Sequence, residues 1–221
     1  VRFVLNTHWH GDHTGGNENF GETGSLIVAH DNVRARMAIE NVSTLFDRTT
    51  PPSPEGALPV VTFDETITFH LNDETIHAFH VANAHTDGDA IIHFVDADVI
   101  HAGDILFNNL FPFIDTDSGG SIDGMIEAVD RIMTLCTPET RVIAGHGEVA
   151  DLDELRAYHG MLVDVRARIT AMVRDGMDLD AVLEARPTAA YDEEWNWGFI
   201  DGETFTTIVY GDLAGRAPSG D

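Results

Sequence analysis

His8-Trp9-His10-Gly11-Asp12-His13 packs three imidazoles and a carboxylate into six residues, directly behind the apolar run Val1 to Leu5. Neutral imidazole and carboxylate are borderline-to-hard donors that suit zinc, iron or manganese, and a run this dense can touch two ions. Its place after a short apolar segment predicts a loop at a strand end, where residues distant in sequence can meet. A site of this kind needs further ligands from elsewhere in the chain.

Three later segments supply candidates. His85 in Asn83-Ala84-His85-Thr86-Asp87-Gly88-Asp89, Asp104 in His101-Ala102-Gly103-Asp104 and His146 in Ala144-Gly145-His146-Gly147 each follow an apolar segment and adjoin glycine or other small residues. Singly each is a weak signal, since Gly-Asp, for example, is an ordinary turn dipeptide. Their order carries more. An HxHxDH motif, a lone His, a Gly-Asp after a strand and a Gly-His-Gly, in that sequence, resemble the metallo-β-lactamase superfamily over roughly the first two thirds of the chain.

The resemblance implies an α/β (α+β) fold, a four-layer αββα sandwich, and two divalent ions, with zinc expected first and iron or manganese as alternatives. It implies that His8, His10 and His85 hold one ion, that Asp12, His13 and His146 hold the other, and that Asp104 bridges them. Donor chemistry agrees, because a carboxylate has two oxygens and can span ions about 3.5–4 Å apart. The expected reaction is hydrolysis of a carbonyl compound (ester, lactone, thioester or amide) by a bridging hydroxide. Asp12 and Asp104 are the expected catalytic carboxylates, Asp12 also as a proton shuttle. Within the superfamily, β-lactamases usually carry Cys or Ser where this chain has Asp104, so β-lactamase-type amide hydrolysis is an alternative. Glyoxalase II-like thioesterases and lactonases share the all-His/Asp pattern, but the C-terminal region shows none of the basic residues with which glyoxalase II binds glutathione. An iron-dependent oxidoreductase on the same fold is the alternative of another class; flavodiiron reductases usually carry Glu where His10 sits. The nearest resemblance is to stand-alone bacterial metal-dependent hydrolases.

Composition sets bounds. The 221 residues, 43% of them hydrophobic, suffice for a sizeable core and predict one domain over 1–221, with a metal-site part at 1–150 and a helical part at 151–221. Acidic residues number 38 against 12 basic ones, all Arg, for a formal net charge of −26. A nucleic-acid partner needs a positive footprint, so a small-molecule substrate is expected instead. No apolar run reaches the length of a membrane span, which fits a soluble protein of cytoplasm or periplasm. Oligomeric state is not written in the composition. Cys136 reads as a buried small hydrophobe.

The pattern along the chain alternates. Strands are expected at Arg2 to Asn6, Leu26 to Ala29, Ala90 to Val95, Asp98 to Ala102 and Arg141 to Ala144, with a hairpin of Thr66 to Leu71 and Thr75 to Val81. Gly15 to Phe20 reads as a short helical turn, Asp31 as the N-cap of a helix through about Thr44, and Pro51 to Pro54 as a stiff loop. Ser121 is expected to cap a helix to Leu135; further helices follow at Asp153 to Arg174, Leu179 to Ala185 and Glu203 to Leu213. Trp195 and Trp197 read as packing anchors, and Phe107, Leu110, Phe111, Pro112 and Phe113 either as a wall beside the metals or as buried core. His30, His70, His77, His80, His93, His101 and His159 are left without a site role. The resemblance also places several strands and a helix ahead of HxHxDH, so the chain is expected to be truncated at its N-terminus.

Overall fold

The computed structural model describes residues 1–216 as eighteen strands and α-helices arranged in layers. In chain order these are β1 (Phe3–Leu5), α1 (Gly11–Thr14), α2 (Asn17–Glu22), β2 (Leu26–His30), α3 (Asp31–Met37), β3 (Asn41–Ser43), β4 (Arg48–Thr50), β5 (Val61–Phe63), β6 (Thr66–Leu71), β7 (Glu74–His80), β8 (Ala90–Phe94), β9 (Val99–Phe107), α4 (Ile122–Leu135), β10 (Arg141–His146), α5 (Leu152–Arg174), α6 (Leu179–Ala185), α7 (Asp192–Trp195) and α8 (Gly202–Arg216).

Two sheets form the centre. The smaller is parallel, in the order β1-β2-β5; the larger has the order β10-β9-β8-β7-β6, antiparallel except for the β9–β10 pair. Alternation along the strands explains how both faces of each sheet are covered. On β2, Val28 points between the sheets with Ala78, Ala90 and Ile92, while Ala29 points the other way to meet Val33 and Met37 of α3. On β8, Ile91 leaves the inter-sheet cluster and joins the cluster formed with Met125 and Val129 of α4 and Leu162 and Val165 of α5. The layers therefore run helix, sheet, sheet, helix, as expected for the αββα sandwich.

Several local expectations are corrected. The helix at Asp31 ends at Met37, well short of Thr44, because Asn41 turns its amide back to the Arg36 and Ile39 carbonyls and the chain then pairs Val42 with Thr49 in a two-stranded hairpin. Its N-cap is His30, whose Nδ1 accepts from the Asn32 N–H, so Asp31 is the first helical residue. The turn at Gly15 to Phe20 resolves into α1 and α2, placing Asp12 and His13 inside a helical turn. β9 runs to Phe107, so Asp104 lies within a strand. Cys136 is only half-buried, at the C-cap of α4.

One glycine makes the central crossing possible. Gly103 adopts φ of +54°, and a Cβ there would stand 2.7 Å from the Thr7 side chain. The residue after it, Asp104, is thereby delivered below the loop that follows β1. β10 meets β9 with register shifts at Ile143, Ala144 and His146, and such irregularities re-aim side chains at a sheet rim. Gly103→Ala is expected to destabilise the protein by about 1–3 kcal/mol, from left-handed backbone strain and the Thr7 contact. Thermal unfolding followed by circular dichroism checks this; an unchanged midpoint would contradict it.

Candidate metal centre

Four chain segments converge on one point. His8 and His10 come from the loop after β1, Asp12 and His13 from α1, His85 from the β7–β8 loop, Asp104 from β9 and His146 from the end of β10. Two sets of donor atoms result, His8, His10, His85 and Asp104 in one and Asp12, His13 and His146 in the other, and within each set the atoms lie within 4.8 Å of one another. All seven residues singled out from the sequence are thus brought together.

Asp104 touches both sets. Its Oδ2 is 3.8 Å from His8 Nε2, 3.6 Å from His85 Nε2 and 3.4 Å from His146 Nε2, while Oδ1 is 3.0 Å from His13 Nε2. Asp12 Oδ2 lies 3.2 Å from His13 Nε2 and 3.3 Å from His146 Nε2.

Partners outside the cluster fix which ring nitrogen each histidine offers. His85 Nδ1 donates to the Phe113 carbonyl at 2.8 Å, and a carbonyl only accepts, so Nε2 keeps its lone pair. His10 Nε2 donates to Asp115 Oδ2 at 2.9 Å, which leaves Nδ1 free, 2.9 Å from His85 Nε2. His8 Nδ1 meets the Thr7 hydroxyl at 3.1 Å, and its Nε2 is buried with no hydrogen-bond partner. A buried imidazole nitrogen left unpartnered costs free energy unless something else binds it. This orphaned atom, among donors of the right type, fits a divalent cation.

Titration behaviour divides the histidines. Burial holds His8 well below the ordinary imidazole value and brings His85 down to about 4 despite the Asp104 charge, so both are neutral near pH 7. Burial also opposes the charge on His13, but Asp104 and Asp12 outweigh it and raise His13 to about 9. Contacts with the same two carboxylates raise His146 to about 10. Burial pushes the Asp104 carboxyl upward, yet His13 and His146 hold it far below the usual carboxylate range; those two imidazoles likewise depress Asp12. Without a cation, the second set is internally paired as imidazolium and carboxylate.

Residues not singled out from the sequence complete the site. Asp115 orients His10 and is itself held by the Ser118 N–H; an acid closing the apolar run Phe111 to Ile114 was the available signal. Asp89 accepts from the Thr86 N–H and hydroxyl and shapes the loop that carries His85. A cavity of about 470 Å³ adjoins the cluster, and Trp9, Phe107, Phe113 and Trp197 are on its wall. The segment after Asp104 therefore has a mixed fate, with Phe107 and Phe113 at the cavity and Phe111 stacked on Phe205 in the core. The tryptophans also divide: Trp195 packs on Tyr158, whereas Trp197 sits 5.6 Å from the His146 ring with its Nε1 donating to the Phe111 carbonyl.

The metallo-beta-lactamase superfamily profile matches residues 1–146. The chain belongs to this superfamily. Among solved structures it is similar to a metallo-beta-lactamase from Pontibacter korlensis, with TM-score 0.61 and 18% identity over 74% of this chain and 70% of that one. The B3 metallo-beta-lactamase BLEG-1 gives TM-score 0.61 and 22% identity over 73% and 77% of the two chains. VMB-1 gives TM-score 0.56 and 15% identity over 74% and 68%. At these identities the likeness is one of fold. Members of the superfamily are mostly metal-dependent hydrolases, and the His/Asp cluster is compatible with that chemistry. Among the described residues, no helix is long and apolar enough to cross a membrane.

The raised His13 and His146 predict a definite pH response of the metal-free protein. Their pairing contributes stability that is fully present below the free imidazole value of 6.5 and is lost as pH rises through about 9 and 10. Neutral, buried His85 works oppositely, its contribution being lost as pH falls from 6.5 through about 4. Denaturant midpoints of chelator-treated protein are therefore expected to fall from pH 7 to pH 10. Filling the second set at pH 7 is expected to release about two protons, because both imidazoles must be neutral to ligate. Calorimetry in buffers of different ionisation enthalpy measures that number, and no release would contradict the assignment.

Proposed function

We propose that the protein is a dinuclear-metal hydrolase, with zinc as the metal, that cleaves an ester, lactone, thioester or amide. The observation that supports it best is Asp104, one buried carboxylate within 4 Å of imidazoles from both donor sets. His8, His10 and His85 would hold one ion, Asp12, His13 and His146 the other, and Asp104 both. When bound, such a pair supplies Lewis acidity and lowers the pKa of water from about 15.7 towards neutrality. Nitrogen and oxygen donors without thiolate suit zinc, with iron or manganese as the competing occupants.

The chain's own groups do the remaining work. His85 and His10 are held in ligating orientation by the Phe113 carbonyl and by Asp115. Phe107 stacks on His146 with centroids 5.1 Å apart, and with Trp197 it shields that side from bulk water. Asp12 is 57% exposed at the cavity, and its Oδ2 carries both imidazole contacts. Oδ1 is left to accept the proton of the attacking water and pass it to the departing oxygen, nitrogen or sulfur. Overall, water adds its oxygen to the carbonyl carbon, the bond to the leaving group breaks, and acid plus protonated leaving group are released.

Elemental analysis of purified protein is expected to give two ions per chain, with zinc predominant; a coloured, iron-loaded protein would favour oxygen chemistry instead. His8→Ala and Asp104→Ala should each lose metal and hydrolysis, and retention of either property would contradict the ligand set. Asp115→Ala is expected to weaken metal affinity about 10–100-fold while activity returns at excess metal, since this residue positions His10 rather than ligating. A fully loaded protein that turns over no member of a broad ester, lactone, thioester and amide panel removes the hydrolase reading.

A further inference from the structure

The cavity has a wall that the metal chemistry does not use. This wall is the β3–β4 hairpin, which pairs with no other strand and places Asn41, Ser43, Phe46, Arg48 and Thr50 on the cavity. The hairpin is fixed over the site. Thr44 gives its N–H and hydroxyl to the Asp117 carboxylate at 2.6 and 3.1 Å, and the Phe46 ring stacks on Phe199 with centroids 4.9 Å apart and meets Phe113 at 5.2 Å. Phe46 and Phe199 remain 36% and 51% exposed, a patch of aromatic surface at the cavity mouth.

Among the described residues, Arg48 is the one arginine on this wall. Arg36, Arg156, Arg166, Arg168, Arg174 and Arg186 each pair with an aspartate, as expected in a chain of net charge −26. Among the described residues, the exposed Arg48 has neither an ion pair nor a side-chain hydrogen bond; Arg2 and Arg141 share that state but lie away from the cavity. The carboxylates that share its cavity, Asp12, Asp104 and Asp115, each contact imidazoles, and none forms an ion pair with Arg48. A guanidinium without a direct partner on a cavity wall offers a planar set of donors to an anionic group of a ligand.

We propose that the hairpin is the specificity element of the site. Arg48 binds the carboxylate of a small aromatic or similarly apolar acid, whose body lies against Phe46, Phe113 and Phe199. The planar fork of one arginine matches one carboxylate, and a monoanion suffers less from the surrounding negative field than a phosphate dianion. A cavity of about 470 Å³ lies towards the small end of the range for ligand sites, so a molecule that fills it touches both the hairpin and the donor sets. That the substrate's carbonyl is cleaved rests on the hydrolase reading above; the anion site rests on the hairpin.

The test has a binding arm and a turnover arm. Metal-free protein is titrated with benzoate, benzamide and phenyl phosphate, followed by the fluorescence of Trp9 and Trp197 on the cavity wall. Benzoate is expected to bind about tenfold more tightly than either of the others, as a charge-assisted pair supplies. Arg48→Gln should abolish that preference and Arg48→Lys should keep part of it, whereas Phe46→Ala should weaken all three probes alike. Equal affinity for benzoate and benzamide, or a preference that survives Arg48→Gln, overturns the proposal, and tighter binding of phenyl phosphate overturns the carboxylate assignment.

In the turnover arm, metal-loaded protein is given para-acetoxybenzoate and para-acetoxybenzamide. The carboxylate ester is expected to be preferred about tenfold in kcat/KM, through KM, with the ratio falling to about one in Arg48→Gln. Turnover of both esters without preference sinks the anion site and leaves the hydrolase reading standing. A persistent benzoate preference with no turnover of any ester does the reverse.

Discussion

A single buried carboxylate sets the terms for the rest of this structure. Asp104 is 5% exposed, and a charge so placed is tolerated only when paired. Its neighbours are imidazoles drawn from the loop after β1, from α1, from the β7–β8 loop and from the end of β10, so the two sheets are tied to one another through it. The backbone makes room accordingly. Gly103 takes a left-handed conformation against Thr7, Gly145 lets β10 pass close to Asp104, and the β9–β10 register shifts where His146 must turn inward.

The two donor sets differ in how they stand without a cation. Around His8 and His85 the environment is dry and the rings are neutral, poised as ligands with their second nitrogens already engaged. Around His13 and His146 the carboxylates stabilise imidazolium, and the set is more open to the cavity. Burial thus leaves one set as neutral donors that could hold a metal, and electrostatics compensates the other. Occupation of the two is expected to be unequal in its proton cost, although the residue types are nearly the same.

Much of the cavity wall comes from elements that stand apart from the donor scaffold. The β3–β4 hairpin belongs to neither main sheet, and Trp197 with Phe199 arrives from the segment between α7 and α8. α8 itself packs on α5 behind the larger sheet, where Phe205 meets Phe111. The helical C-terminal part therefore reaches the cavity even though, among the described residues, it contributes no donor to either set.

The seven residues that converge in the cluster were legible in the linear chain, as were the strands of the larger sheet and helices α4, α5, α6 and α8, because each rests on local residue type, short spacing or regular apolar periodicity. Asp115 was not, since an acid after an apolar run acquires its role only when His10 arrives from more than a hundred residues away. Trp195 and Trp197, two residues apart, divide between core and cavity, which no periodicity distinguishes in an irregular segment. The helix expected to reach Thr44 became a hairpin because the Asn41 amide and the Val42–Thr49 pairing outweigh weak helix propensity, and that hairpin carries Arg48 and Phe46. The chemistry of the donors was thus a property of the sequence. Which donors share a carboxylate, which rings are charged and what walls the cavity were decided by tertiary structure, because burial and long-range contact set the pKa values and bring those walls together.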